Sequence, residues 1–238
     1  MKAIIIGAVV LSAAVIVVAE DSPDLTREAK AGAFAYQEAN RDNVGRGARI
    51  AAWGTSRGVA SCSSCHGYDG VGNGNSQIPR LAGQSSAYLL EQLNDFASGN
   101  RPNAYMANFA QRLSAQERAD VAAYYASLES GFPPPEREPA AKLLQRGRQL
   151  ADFGDDKLTV QSCNNCHGPQ GSGEYPAIPA LQGQYSSYIS GRLERWKAAP
   201  LRDDDLMSRV ASELRPEDIQ AVSTYFEQLP HSLDQSAQ

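Results

Sequence analysis

Every cysteine in this 238-residue chain belongs to one of two copies of a single motif. Cys62–His66 and Cys163–His167 both read Cys-x-x-Cys-His. This pattern is typical of covalent c-type haem attachment, in which two thiols add to the haem vinyl groups and the adjacent histidine ligates the iron. Zinc sites, dithiol redox centres and disulfides also use paired cysteines, but none of them needs a histidine after both pairs. We therefore predict two covalently bound haem c groups, attached through Cys62, Cys65, Cys163 and Cys166.

The methionines lie in register with these motifs. Met106 follows His66 by 40 residues, Met207 follows His167 by 40 residues, and the only other methionine is the first residue. A thioether is a soft ligand suited to haem iron. We predict the axial pairs His66/Met106 and His167/Met207, the alternative being that both methionines fill the core beside an open iron. The one remaining histidine, His231, is interpreted as a solvated tail residue, which argues against bis-histidine ligation.

The chain begins with an apolar segment. Residues 3–18 form an apolar run that ends at the small residue Ala19, before two acidic residues. This pattern predicts a secretory signal peptide over residues 1–19. The alternative is an uncleaved anchor, because the run is close to the lower length limit for a membrane span. Both versions place the protein in the periplasm, attached to the membrane only if residues 3–19 are retained.

The net charge narrows the choice of partners. The chain carries a formal charge of −5 at pH 7. An acidic chain is a poor candidate for binding nucleic acid or anionic lipid and favours protein partners with a basic docking face. Residues 203–205 are three consecutive aspartates just before Met207. They either mark a docking edge near the second haem or form a solvated acidic loop.

The two halves of the chain resemble each other at an offset of 100 or 101 residues. Ile78–Gln84 and Ile178–Gln184 share the pattern Ile-Pro-x-Leu-x-Gly-Gln, and the match continues through Tyr88 and Tyr188. The repeat predicts two tandem domains, at residues 44–129 and 142–231. The remaining segments are an N-terminal extension (20–43), a stiff proline-rich linker (130–141) and a tail (232–238). The extension has no counterpart in the second half, and the sequence leaves open whether it is a partly helical arm or a disordered lead.

The apolar pattern within each half is helical. No stretch shows sustained β alternation, so we predict an all-α fold in which each domain wraps around one haem. Ser114 and Glu117 are spaced as a capping box, and Pro216 suits the first turn of a helix. The predicted helices are residues 45–53, 86–96 and 115–128 in the first half, and 145–153, 186–196 and 216–229 in the second.

These features resemble those of the dihaem cytochrome c4 family, which is built from two class I cytochrome c domains. The likeness covers Val44–Leu229 and rests on the paired Cys-x-x-Cys-His-Gly motifs, the Pro-x-Leu-x-Gly-Gln segments, the two methionines and the helix starts near Leu113 and Leu214. The extension at residues 20–43 and the stretch Gly54–Ala60 before the first motif depart from the pattern. They leave the predicted iron ligands unchanged, but either of them could adapt the protein to a redox partner other than a terminal oxidase.

The resemblance also implies a role for two prolines. In that family a proline carbonyl accepts a hydrogen bond from the histidine that ligates the iron. This role falls to Pro79 for His66 and to Pro179 for His167. Such an acceptor fixes the orientation and the basicity of the imidazole. The alternative for both prolines is loop rigidity.

Three functions compete. In the first, the protein is a periplasmic electron carrier between partners such as a quinol-oxidising complex and a terminal oxidase, because a filled coordination sphere suits electron transfer. In the second, it is the electron-accepting subunit of a periplasmic dehydrogenase, since related dihaem cytochromes serve flavin-containing sulfide dehydrogenases. The third is a dihaem peroxidase, which needs an open iron and nearby acid–base residues. Because the chain has no spare histidine except His231, we expect an electron-transfer protein and not an enzyme.

Overall fold

The computed structural model describes residues 41–129, 135, 138–176, 178–198 and 206–230. All of them belong to one compact unit, Ala39–Gln238. The predictions for the signal segment, most of the extension and linker, the aspartates at 203–205 and His231 lie outside these residues. None of the described helices has the length and apolarity needed to cross a membrane.

The described residues form ten α-helices in two sets of five, and no β-strand. This confirms the predicted all-α class. The helices are α1 (residues 41–53), α2 (Ser63–His66), α3 (Ser86–Ser98), α4 (Ala104–Ala110), α5 (Ala115–Ala126), α6 (Ala141–Phe153), α7 (Asn164–His167), α8 (Ser186–Ala198), α9 (Leu206–Glu213) and α10 (Pro216–Gln228). We call residues 41–129 the first domain and residues 138–230 the second.

The six helices predicted from the apolar pattern correspond to α1, α3 and α5 and to their counterparts α6, α8 and α10. The capping box is confirmed, because the Ser114 side chain accepts from the backbone of Glu117 and the Glu117 side chain accepts from the backbone of Ser114. Pro216 is also confirmed in the first turn of its helix. The other four helices were not predicted, since segments of four to eight residues are too short to show a helical period.

Two glycines allow the first and last helices of each domain to cross closely. A Cβ atom on Gly47 would lie 1.9 Å from the carbonyl oxygen of Asp120, and one on Gly147 would lie 2.2 Å from that of Ala221. No other residue could occupy either position without moving the facing helix. This contact explains why the two glycines recur at an offset of 100 residues.

Each domain has its own buried apolar cluster. In the first domain α3 packs against α4 and α5, and in the second α8 packs against α9 and α10 while α6 packs against α10. Two separate cores agree with a tandem duplication. The first cluster contains Ala51, Leu89, Val121, Ala122 and Tyr125; the second contains Leu150, Ala151, Val160, Ile189, Leu193, Ala211, Leu214, Ile219, Val222 and Phe226.

Two glutamines join the domains through a reciprocal set of hydrogen bonds. The Gln84 amide donates to the carbonyl oxygen of Ala180 and accepts from the N–H of Ala180, both at 3.0 Å. Gln184 makes the same two bonds with the backbone of Arg80, also at 3.0 Å. The two glutamines are 7% and 8% exposed, so their bonds are shielded from water and strengthened by the low local dielectric. We call these four bonds the glutamine clasp.

Two serines add hydrogen bonds between the domains outside the glutamine clasp. The Ser85 hydroxyl donates to the carbonyl oxygen of Pro176, and the Ser187 hydroxyl donates to that of Gly74, both at 2.6 Å. These four residues lie at the contact between the two domains, as the glutamines do, and we call this contact the domain seam. The two domains are therefore joined by several polar contacts of different kinds.

A buried carboxylate near the start of α10 ties that helix to α6. Asp218 is fully buried and accepts hydrogen bonds from Arg146 at 2.6 Å and from Arg215 at 2.7 Å. Burial alone would raise the pKa of Asp218, but the bonds from Arg215 and Arg146 outweigh it and lower the pKa to about 2. Because this folded-state pKa is below the ordinary value, the carboxylate stabilises the fold above about pH 4, and the contribution is lost as the pH falls toward 2.

Replacing this carboxylate should therefore have a pH-dependent effect. We expect Asp218→Asn to reduce the free energy of unfolding by about 1.5–3 kcal/mol at pH 7, the range for a hydrogen bond to a charged group. The difference from the wild type should shrink between pH 4 and pH 2. Urea unfolding followed by far-ultraviolet circular dichroism measures it, with the exposed Asp156→Asn as the control. A difference of equal size at pH 7 and pH 2 would contradict this assignment.

Candidate cofactor sites

The two Cys-x-x-Cys-His motifs fold as equivalent single turns of helix. The N–H of His66 donates to the carbonyl oxygen of Cys62, and the N–H of His167 donates to that of Cys163, each at 2.9 Å. These turns are α2 and α7. They bring each pair of thiols and the following imidazole to the wall of one cavity, which is lined by Cys62, Cys65, His66, Cys163, Cys166 and His167.

The four cysteines are free thiols, of which Cys62 and Cys163, the first of each pair, are partly buried and Cys65 is exposed. Burial raises the pKa of Cys62 to about 11 and that of Cys163 to about 12. A dithiol redox centre needs a thiol whose pKa is lowered, because the thiolate is the nucleophile. The observed environment argues against that alternative. Neutral thiols on the wall of an apolar cavity suit covalent capture of an apolar macrocycle.

Each motif histidine is oriented by a backbone carbonyl group. Nδ1 of His66 lies 3.2 Å from the carbonyl oxygen of Pro79, and Nδ1 of His167 lies 2.9 Å from that of Pro179. Since a carbonyl oxygen can only accept, Nδ1 of each neutral ring carries the hydrogen and Nε2 keeps the lone pair that binds a metal. Burial lowers the pKa of both histidines, and the bond to the proline offsets this only in part. Both rings are therefore neutral at pH 7.

Met106 and Met207 lie on the short helices α4 and α9. Both residues line the same cavity as the histidines. In the first domain the Asn103 side chain accepts a hydrogen bond from the backbone N–H of Met106 at 2.9 Å. This cap fixes where α4 begins and so holds the methionine in place. The segment before α9 lies outside the described residues.

The cavity reaches through both domains and has a volume of about 1290 Å³. Pockets for one small molecule usually measure about 300–1,000 Å³, so this one is larger than a single ligand needs. Its charged lining is basic although the chain is acidic. Among the described residues that line it are four arginines and a single carboxylate: Arg80, Arg101, Arg192, Arg209 and Glu213.

Arg101 and Arg192 form a cationic seam where the two domains meet in the cavity. Arg101 is 7% exposed, and its guanidinium donates to the Tyr188 hydroxyl at 2.8 Å and to the Gln92 side chain at 2.6 Å. Its buried Nε atom has no hydrogen-bond partner among the described residues. Burial and the charge of Arg101 both lower the pKa of Arg192. A buried cation with a second, partly buried cation nearby favours a bound anion in this part of the cavity.

The residues present fit two haem groups. The apolar walls suit the macrocycle, the thiols suit its vinyl groups, the neutral imidazoles and thioethers suit its iron, and the arginines suit its carboxylates. The cysteines, histidines, methionines and prolines that line this cavity were all predicted from the sequence. Arg101 and Arg192 were not predicted, because they occupy non-equivalent positions in the two halves. The glutamine clasp was not predicted either, although the repeated Gly-Gln pair is visible in the sequence.

The sequence comparisons point to one group of proteins. A family model described as "Cytochrome c" matches residues 46–129. The chain is 38% identical to the "Thiosulfate dehydrogenase electron acceptor" of Thiomonas intermedia (strain K12), over 75% of this chain and 83% of that protein. It is 35% identical to "Cytochrome c4" of Azotobacter vinelandii, over 72% of this chain and 85% of that protein.

Solved structures show the same likeness. Reduced cytochrome c4 from Pseudomonas stutzeri matches with a TM-score of 0.64 and 32% identity, over 72% of this chain and 94% of that chain. Thiosulfate dehydrogenase (TsdBA) from Marichromatium purpuratum matches with a TM-score of 0.72 and 34% identity, over 81% of this chain. The present chain spans only 41% of that second protein.

The cationic seam should affect the reduction potentials of the bound haems. Arg101→Gln removes one positive charge beside the cavity, and the loss of this charge makes the addition of an electron to the haem less favourable. A unit charge roughly 10 Å away is worth about 0.4–1.7 kcal/mol in an effective dielectric of about 20 to 80. We therefore expect a decrease of roughly 20–70 mV. A spectroelectrochemical titration measures it, with the exposed Arg49→Gln as the control, and an unchanged or increased potential would contradict the assignment.

Proposed function

The chain belongs to the cytochrome c4 family of dihaem electron-transfer proteins, and we propose that His66/Met106 and His167/Met207 hold its two irons. The predictions of two class I cytochrome c domains and two covalently bound haem c groups are confirmed by the same relatives. When bound, each haem supplies one-electron exchange between ferric and ferrous iron.

Both methionines and both motif histidines line one cavity, and the proposed ligation rests on this placement. The histidines keep Nε2 free as a donor because Nδ1 is bonded to the prolines. A thioether at the remaining position leaves no place for oxygen, peroxide or another small substrate. This arrangement favours electron transfer and opposes catalysis on the iron.

In this proposal the two prolines hold the imidazoles and raise their basicity. The cysteines fix each macrocycle, and the basic seam balances its carboxylates. We place the protein in the periplasm, where the N-terminal segment predicted as a signal peptide would deliver it. Its partners are then periplasmic redox proteins or membrane complexes that expose a redox centre to that compartment.

Carbon monoxide tests the ligation. It binds ferrous haem only where a coordination position is open or weakly held. We expect no change in the absorption spectrum of the fully reduced wild-type protein, and one bound carbon monoxide per chain in Met207→Ala or in Met106→Ala. The isosteric substitution of exposed Leu206 by Ile is the control. Rapid binding by the wild-type protein would contradict the proposal and favour an enzyme or a sensor.

A second, more specific role is favoured by two of the relatives. Proteins of Thiomonas intermedia and Stutzerimonas stutzeri, 38% and 36% identical to this chain, are both named "Thiosulfate dehydrogenase electron acceptor". On this basis the chain would accept electrons from a dehydrogenase that oxidises thiosulfate and pass them on. A two-electron oxidation matches two one-electron centres in one chain.

Each cofactor site reaches the surface beside an exposed apolar side chain. Tyr105 is 81% exposed and Leu206 is 52% exposed, and they directly precede Met106 and Met207. Both also line the cavity. Apolar side chains at the opening of a redox site give a partner a contact surface close to the cofactor, which shortens the path for the electron.

We expect loss of these contacts to slow reduction by the partner. Tyr105→Ser or Leu206→Ser should lower the second-order rate constant for reduction by a thiosulfate-oxidising dehydrogenase roughly fivefold, about 1 kcal/mol, with unchanged potentials. Trp53→Ser is the matched control, because Trp53 is 82% exposed but does not line the cavity. Stopped-flow absorbance measures the rate. Equal rates in all variants, or no reduction of the wild type by thiosulfate and enzyme, would contradict this role.

A further inference from the structure

One peptide group in each domain makes two hydrogen bonds, one to the motif histidine of its own domain and one to a glutamine of the other domain. The carbonyl oxygen of Pro79 accepts from His66 at 3.2 Å, and the N–H of the same peptide group, on Arg80, donates to Gln184 of the other domain at 3.0 Å. The second domain repeats the arrangement. The carbonyl oxygen of Pro179 accepts from His167 at 2.9 Å, and the N–H of Ala180 donates to Gln84 at 3.0 Å.

The two halves of such a peptide group are electronically connected. When its N–H donates to an acceptor, resonance places more negative charge on its carbonyl oxygen, which then becomes a stronger acceptor. A stronger acceptor at Nδ1 makes the imidazole more basic and a better donor to iron. A more electron-rich ligand favours the ferric state. Each glutamine amide is thus connected to the histidine of the opposite domain through one peptide group and the two hydrogen bonds on its two sides.

We propose that Gln84 and Gln184 are positioning residues that tune the reduction potential of the haem in the opposite domain. Gln184 lowers the potential of the haem held by Cys62, Cys65 and His66. Gln84 lowers the potential of the haem held by Cys163, Cys166 and His167. The docking of the two domains is then part of what sets both potentials. This inference rests on the proposed ligation of the irons by His66 and His167.

The burial of the clasp strengthens the effect. Gln84 and Gln184 are more than nine-tenths buried, so water competes little for the peptide N–H groups. Each glutamine oxygen also accepts from the N–H of the following residue, at 3.0 Å for Ser85 and 3.1 Å for Tyr185. This second bond fixes the orientation of the amide, which keeps its oxygen directed at the peptide group across the seam.

Each glutamine variant should change the reduction potential of the haem in the opposite domain. Gln184→Leu should raise the potential of the Cys62/Cys65 haem and leave the other haem nearly unchanged, whereas Gln84→Leu should do the reverse. We expect about a threefold change in the equilibrium constant for reduction at the affected haem, which corresponds to about 28 mV for a one-electron couple. The measurement is a redox titration followed by nuclear magnetic resonance, in which haem methyl signals separate the two haems.

A purely structural role for the glutamines is tested by a matched variant. Ser187 lies in the second domain, as Gln184 does, and also donates to a backbone carbonyl of the first domain. Its acceptor, Gly74, does not belong to a peptide group that contacts a histidine. Ser187→Ala therefore weakens the seam without touching the route to His66. We expect it to leave both potentials unchanged.

A second measurement covers the case in which Gln184→Leu loosens the seam. In the reduced protein, the Nδ1 proton of His66 should move upfield as its bond to Pro79 weakens, while that of His167 stays in place. Shifts of equal size at both haems, shifts confined to the glutamine's own domain, or no shift would each overturn the proposal. Carbon monoxide binding by the wild-type protein would refute the ligation by Met106 and Met207, but it would leave the Nδ1 proton signals of the histidines unaffected, so the two failures are distinguishable.

Discussion

The hydrogen bond between each motif histidine and a backbone carbonyl is the interaction on which the rest of the site depends. It decides the tautomer of the imidazole, because the acceptor forces the hydrogen onto Nδ1 and leaves Nε2 for the metal. The loops that supply these carbonyls, around Pro79 and Pro179, also form the contact between the domains. The orientation of each motif histidine and the docking of the two domains are therefore determined by the same short segments.

Duplication of one small domain has a further consequence here. Each half has only a modest core of its own, and a domain of this size gains much of its buried apolar surface from a covalently attached macrocycle. One cavity reaches through both domains, and the basic side chains Arg101 and Arg192 are part of its lining. A seam that gathers positive charge can neutralise the carboxylates of two prosthetic groups at once. Joining the domains thus places the positive charge of both arginines near the carboxylates of both prosthetic groups.

Much of the fold could be predicted from the sequence because its signals are local. The Cys-x-x-Cys-His turns, the capping box at Ser114 and the long helices all follow from short-range spacing. The short helices that carry the methionines could not be predicted, since their position depends on packing against α3 and α8. The hydrogen bonds of Gln84 and Gln184 between the domains could not be predicted from the sequence either. The repeat showed that these glutamines recur, but their partners lie about 100 residues away, and only the structure brings them together.

The peptide groups at Pro79–Arg80 and Pro179–Ala180 should be hydrogen-bonded on both sides in the haem-loaded protein. Hydrogen exchange of the backbone amides of Arg80 and Ala180, followed by nuclear magnetic resonance in the reduced state, tests this. We expect both amides to be among the slowest to exchange outside the helices. Exchange of either amide at the rate of an unprotected peptide would show that the domains do not meet through these glutamines.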